Sequence, residues 1–250
     1  MTAWYESTFG REYLSLYRHR DDADAAAEVA DIVRLLDPPR QAPLLDLCCG
    51  AGRHLAAFRH AGYTQLTGLD LSEDLLDAAR ARLASERMTD VRLIRADMRD
   101  IPDDASYQTV VSLFTSFGYF PTEAEDARVL DAVFRVLRPA GTFLLDTLNR
   151  GAVVASLVPS EERRLGAKRL RIRRRISADG RRVEKVTRVS QPGSPETVYR
   201  ESVRMYERAD LEHMLLRAGF SDVRFHGALD GRAYAPDAPR LVVTATQKGD

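Results

Sequence analysis

Apolar residues along this chain fall into two rhythms. Between positions 44 and 147, short apolar runs at 44–47, 65–69, 91–95, 109–114 and 142–145 alternate with stretches in which apolar residues recur every three or four positions. Runs of that length read as strands and the intervening spacing as helices, which predicts βαβ units around a parallel sheet. Local signals mark the helix ends. Ser72 precedes Glu73 and Asp74, and Thr122 stands three positions before Glu125, as in a capping box. Gly62 and the turn Pro139-Ala140-Gly141 each follow a helical stretch and precede the next strand.

After Asn149 the rhythm changes. Segments 168–176, 181–190 and 197–206 read as consecutive strands joined by Asp179-Gly180 and by the turn from Pro192 to Pro195, which predicts an antiparallel insertion. Helical spacing returns at Leu211, Leu215 and Leu216 and stops at Gly219, and strands at 223–226 and 241–246 close the pattern. Near the start, Tyr5, Phe9, Tyr13 and Tyr17 stand four apart, which stacks them along one face of a helix. Such a stripe either packs on the core or covers a ligand.

Composition narrows the function classes. With 44% apolar and 30% charged residues in 250, the chain is an ordinary globular one. Its 37 basic and 37 acidic residues cancel, so no global field draws it to nucleic acid or an anionic membrane, and any such attraction must be local. The first residues are not a basic run followed by an apolar stretch, and no apolar segment is long enough to span a bilayer, so the expectation is a cytoplasmic protein. Cys48 and Cys49 are adjacent, where a disulfide would be strained, and read as reduced, partly buried thiols. A nucleophilic Cys49 is the weaker reading, because no His follows at a recognisable spacing.

The chemistry concentrates at strand ends. The run Leu44-Leu45-Asp46-Leu47-Cys48-Cys49-Gly50-Ala51-Gly52-Arg53 ends a strand in a glycine turn and opens a helix, so backbone N–H groups can face a ligand. It has G-x-G but not the third glycine of the dinucleotide fingerprint, which weakens a nicotinamide-dependent oxidoreductase. Asp70 ends the second strand, where a carboxylate can accept hydrogen bonds from ribose hydroxyls. Asp97 and Met98 end the third, placing an acceptor and an apolar side chain where an adenine would fit.

Through D-L-C-C-G-A-G-R, G-L-D-L-S, R-A-D-M-R-D and L-F-T-S-F-G-Y-F, in this order, the chain resembles the class I S-adenosylmethionine-dependent methyltransferases. The resemblance implies a doubly wound, mostly parallel seven-stranded α/β sheet with a small antiparallel β insertion and an N-terminal helical lid. It implies S-adenosyl-L-methionine as cofactor, with Gly50 and Gly52 near its methionine part, Asp46 of the same motif among its contacts, Asp70 on the ribose, and Leu71, Asp97 and Met98 around the adenine. Phe114 and Thr115 would flank it. The chain is most similar to the small-molecule branch containing sugar amine and glycine N-methyltransferases, in which N-terminal tyrosines cover the cofactor. That favours a lid role for Tyr5, Tyr13 and Tyr17, whose faces can stabilise a sulfonium once water is excluded.

Methyl transfer from an activated donor can draw most of its catalysis from positioning. Candidates for contacting the acceptor are Tyr119 and Asn149, just past the fourth and fifth strands, at the sheet end where open α/β folds bind ligands. Tyr119 could instead pack beside Phe117 and Phe120, and Asn149 could cap the next helix. Arg232, Tyr234 and Asp237, in the loop before the last strand, could also line the acceptor pocket. His54 reads as a bystander, and the five histidines show no metal-ligand spacing. Between positions 163 and 188 twelve Lys or Arg stand against Asp179 and Glu184, with Arg171, Arg173 and Arg175 alternating along a strand. A solvated strand face is the favoured reading, and RNA phosphates are the alternative.

The chain therefore reads as a methyltransferase for an unidentified small-molecule acceptor, with an RNA methyltransferase and a non-catalytic cofactor-binding module as alternatives. Residues 1–150 would hold the lid and cofactor core, 151–207 the insertion, as acceptor cap or homodimer surface, and 208–250 the closing helix and strands.

Overall fold

The computed structural model describes residues 3–10, 22–102 and 106–248. At its centre β1 (Leu44–Leu47) pairs in parallel with β2 (Leu66–Asp70) on one side and β4 (Tyr107–Ser112) on the other. β3 (Arg92–Arg95) extends the sheet beyond β2, and β5 (Leu137–Leu148) extends it beyond β4. β11 (Arg240–Gln247) lies antiparallel against β5, and β10 (Phe220–His226) lies antiparallel against β11. The order β10-β11-β5-β4-β1-β2-β3 is doubly wound, as expected. The winding reverses between β1 and β4, and the crevice at their carboxyl ends is where such sheets take ligands.

Helices cover both faces because each carries one apolar stripe. α2 (Asp22–Leu36), α3 (Arg53–His60) and α4 (Glu73–Ser85) bury Ile32, Leu55, Phe58 and Leu76 on one face. α5 (Glu123–Val136) and α7 (Arg208–Arg217) bury Leu130, Val133, Leu211 and Leu215 on the other. The expected caps form: Ser72 Oγ accepts from Leu75 N–H, and Thr122 with Glu125 closes a capping box. No helix among the described residues is long and apolar enough to cross a membrane.

The insertion is a separate antiparallel sheet of β6 (Ser160–Leu165), β7 (Lys168–Ile176), β8 (Arg182–Gln191) and β9 (Ser194–Arg204). It has one strand more than expected, since Ser-Glu-Glu-Arg-Arg-Leu shows no apolar alternation and pairs along β7 through the backbone ladder and the ion pairs Arg169–Glu162 and Arg174–Glu161. Two other boundaries differ. The Pro139–Gly141 turn is a bend inside β5, where Ala140 has φ +59° and the register against β4 shifts. The N-terminal helix α1 (Trp4–Thr8) stops before Phe9, whose φ and ψ of −90° and 66° are not helical, so Tyr5 and Phe9 do not share one continuous helix. α1 rests on the insertion, where Thr8 Oγ1 donates to the Arg200 carbonyl at 3.1 Å.

Candidate active site

β1 ends in a turn of three left-handed residues, Cys48, Gly50 and Gly52, with φ of 64°, 54° and 73°. Such angles suit glycine, and the turn leads directly into α3. Asp70, at the end of β2, holds the turn from the other side. Its Oδ2 accepts from Gly50 N–H at 2.8 Å and its Oδ1 from Ser72 N–H at 2.9 Å, tying the glycine turn to the start of α4. Burial pushes the Asp70 carboxyl up, partly offset by these N–H groups. Asp46 is more exceptional. It is 1% exposed, and its Oδ2 has no hydrogen-bond partner among the described residues. Burial pushes its carboxyl up to about 6, with His54 and Arg53 lowering it and Asp70 raising it.

The turn opens onto a cleft of about 1140 Å³ at the carboxyl ends of the strands. That exceeds the space one small ligand needs. Tyr5, Asp46, Gly50, Asp70, Leu71, Asp97, Met98, Phe114 and Tyr119 all line it, whereas Gly52 shapes the turn without lining it. Asp97 is already engaged, since Arg99 pairs with both of its oxygens, at 3.0 Å through Nε and 2.7 Å through Nη2. Burial raises the Asp97 carboxyl, and the Arg99 bonds outweigh it, leaving the group below the usual carboxylate range. The same guanidinium lies 4.1 Å from the centre of the Phe120 ring and reaches Glu125 at 3.1 Å.

Past β4 the backbone takes two consecutive left-handed residues, Phe114 and Thr115, both at φ 63°. For non-glycine residues this costs energy that neighbours must offset. Asp146 accepts from Phe114 N–H at 3.0 Å, and Arg240 on β11 bonds Asp146 at 2.6 Å and Thr115 Oγ1 at 3.1 Å. The Phe114 ring also lies 5.2 Å from the Arg53 guanidinium and 5.8 Å from that of Arg240. Arg53 and His54, at the start of α3, converge on Glu28 of α2 at 2.9 and 2.7 Å.

The far wall is aromatic. Tyr119 lies 5.0 Å from Trp4, 5.7 Å from Phe9 and 6.5 Å from Tyr5, centre to centre. Its loop is fixed by the insertion. Arg204 N–H donates to the Gly118 carbonyl at 2.7 Å, and Gly118 is at φ +90°, where a Cβ would stand 2.5 Å from the Arg204 carbonyl oxygen. Only glycine fits there.

Comparison with known proteins bears on this geometry. A family described as "Methyltransferase domain" matches residues 44–141, the stretch that builds the glycine turn and the strand ends around it. The dTDP-3-amino-3,4,6-trideoxy-alpha-D-glucopyranose N,N-dimethyltransferase of Streptomyces venezuelae is 29% identical over 232 residues, 90% of this chain and 94% of that enzyme. The SAM-bound structure of CalS10, an amino pentose methyltransferase of Micromonospora echinaspora, superposes with a TM-score of 0.69 at 26% identity, covering 97% of this chain and 99% of that one. The chain is a class I S-adenosylmethionine-dependent methyltransferase. A third relative, the dTDP-4-amino-2,3,4,6-tetradeoxy-D-glucose N,N-dimethyltransferase of Saccharopolyspora spinosa, is 33% identical over 129 residues, 52% of this chain and 49% of that enzyme.

Several residues of the methyltransferase lie elsewhere than the sequence suggested. Asn149 does not line the cleft. It is 2% exposed, and its amide donates to the carbonyls of Ala235, Pro236 and Ala238 at 3.1, 3.1 and 2.8 Å, so it anchors the last loop. It is the residue before α6 (Arg150–Ser156), yet its side chain makes no cap. Arg232 is paired with Asp230 at the surface, Tyr234 packs against the core, and neither they nor Asp237 reach the cleft. Tyr13 and Tyr17 lie outside the described residues. The thiols of Cys48 and Cys49 are pushed well up by burial and nearby carboxylates, which leaves them protonated and poor nucleophiles. His54, read as a bystander, lines the cleft and is buried against Glu28. Glu28, Arg53 and Arg240 carried no sequence signal for this grouping, since their partners lie 25 to 125 positions away.

Proposed function

We propose that the methyltransferase acts on the amine of an amino sugar, with its cofactor held at the glycine turn. The observation that carries the cofactor half is the unpartnered, buried Asp46 Oδ2 beside that turn, an acceptor suited to the ammonium of the methionine part. Gly50 and Gly52 allow close approach of the backbone, Asp70 offers its carboxylate to the ribose, and Leu71, Asp97 and Met98 frame the adenine. When bound, S-adenosylmethionine supplies an activated methyl group on a cationic sulfur. The chain then has to orient the acceptor and exclude water. Tyr5 and Tyr119 present aromatic faces on the wall away from the turn, where they would pack on a sugar ring and face the sulfonium.

The acceptor half is supported by the relatives, two of which are named as N,N-dimethyltransferases of dTDP-amino sugars. A neutral amine already carries the lone pair that attacks, so no strong general base is demanded of the cleft. The RNA reading finds no support in the insertion, whose arginines at 169, 171, 175 and 188 are bonded to Glu162, Glu196 and Glu184.

Two assays test the proposal. Calorimetry with S-adenosylmethionine, its demethylated product and NADH should show micromolar binding of the adenosyl ligands, weakened at least about a hundredfold in Asp70→Ala, which loses ribose contacts and the tie to Gly50. Radiolabelled methyl transfer should then reach a dTDP-linked amino sugar and not its hydroxy analogue. Transfer to the hydroxy compound, or to neither, would discard the amine acceptor.

A further inference from the structure

The loop that brings Tyr119 and Phe120 to the cleft is held by a buried polar network that neither substrate nor core requires. Asp126, in the first turn of α5, is 0% exposed. Its Oδ1 accepts from Phe120 N–H at 3.3 Å, and its Oδ2 accepts from the Tyr206 hydroxyl at 2.7 Å. Arg204 Nε lies 3.4 Å from the same Oδ2, while Arg204 Nη2 donates to the Pro121 carbonyl at 2.9 Å. Arg182 bonds the Phe120 carbonyl. Arg182 and Arg204 come from β8 and β9, and Tyr206 follows β9, so three side chains of the insertion and its exit converge on one loop of the core sheet.

Energetics argue that this network exists for geometry. Burying a carboxylate with a cation beside it gains little net stability, and apolar residues of similar volume commonly do as well or better. What such a network adds is a single arrangement of the groups that it joins, even though Arg204 Nε meets Asp126 as an ion pair and not through a hydrogen bond. Here those groups are the backbone on both sides of Phe120, one residue from Tyr119. Burial and the adjacent Asp126 push the Tyr206 phenol up, so it remains a protonated donor throughout the working range.

We infer that Asp126 is a positioning residue for the acceptor, which together with Tyr206 and Arg204 sets the placement of Tyr119 and Phe120, so that the insertion controls the acceptor wall while the glycine turn controls the cofactor. The inference deepens the function proposed above and rests on its assignment of Tyr119 to the acceptor side. It predicts a separation of effects between the two ligands.

The test uses Tyr206→Phe and the apolar triple variant Asp126→Leu/Arg204→Met/Tyr206→Phe, which removes both charges of the buried pair and keeps the site filled. Three readouts are taken: thermal unfolding, the Kd of the demethylated cofactor product, and kcat and KM for the dTDP-linked amino sugar. A fourth needs no acceptor, because Trp4 is the chain's one tryptophan and lies 5.0 Å from Tyr119. The expected result is a product Kd within about twofold of wild type, an acceptor KM raised about tenfold or more in both variants, and a red-shifted Trp4 emission as the loop moves. The triple variant should recover stability without recovering the acceptor KM or the emission. If stability, KM and emission all return together in the triple variant, Asp126 is only a packing element and the inference fails. If wild type turns over no amino sugar yet the emission shifts with Kd unchanged, the acceptor reading falls and the loop-setting role stands. Unaltered emission in both folded variants overturns it.

Discussion

The rim of the parallel sheet and the face of the insertion sheet both hold charged side chains and treat them in opposite ways. On the insertion, Glu196 is shared between Arg171 and Arg188 at 2.8 and 2.7 Å, Arg169 is bonded to Glu162, and Arg175 to Glu184, all near solvent. At the rim, Asp46 is buried with an open oxygen, Asp146 is buried against Arg240, and Asp70 accepts one backbone N–H on each oxygen with acceptor capacity left over. Solvated pairs that compensate each other say little about function, whereas a buried charge left partly open is retained at a cost and points to a ligand. Counting arginines raised a binding face on the insertion only as the alternative to a solvated strand face, whereas the open oxygen of buried Asp46 favours the glycine turn.

The contrast can be broken by substitution on either side. The largest effect is expected for Arg240→Met, which leaves Asp146 buried without its cation and the left-handed pair Phe114 and Thr115 without their brace; unfolding by urea should show a loss of about 3 kcal/mol. Next comes Asp46→Asn, expected to weaken the adenosyl ligands about ten- to hundredfold by calorimetry. pH sharpens that result. The Asp46 carboxyl is raised from 3.8 to about 6, so its contribution to apo stability is present below about 4 and lost as pH rises through 6, where the buried charge forms. The ligand ammonium needs that charge. Wild-type affinity should therefore fall as pH drops below 6, while the Asn variant, free of the buried charge, should show neither this fall nor the loss of apo stability as pH rises from about 4 to about 6. The smallest effect is expected for Glu196→Gln, which should leave Tm, turnover and ligand affinity unchanged. A marked loss of turnover there would return the insertion face to the list of ligand sites.

What was legible in the sequence was whatever depends on near neighbours. The five parallel strands, the Ser72 cap, the Thr122 capping box and the glycine turn all follow from spacing within a few residues, and each appears at or near its expected place. β6 escaped because an edge strand that is polar except for Leu165 is defined by its partner and not by its own pattern. α2 was legible and was passed over: Val29, Ile32, Val33 and Leu36 stand at i, i+3, i+4 and i+7 of one helix face, behind an alanine-rich first half that shows no large apolar residue. The destination of Asn149 depends on a loop 86 to 89 positions further on, so its place after the fifth strand suggested the cleft while its amide went to loop carbonyls. Likewise, nothing near Asp126 announces Tyr206, 80 positions away.

The antiparallel pair at the edge of the core sheet has a consequence for timing. β10 touches the sheet through β11 alone, and β11 is made after it, so the penultimate strand must wait for the last one before it has a place to dock. Arg240 begins that last strand and is the brace on Phe114 and Asp146. A chain emerging from the ribosome can therefore complete the strands of its glycine turn early, but it holds an unbraced cleft until almost the final residues shown here have left the exit tunnel.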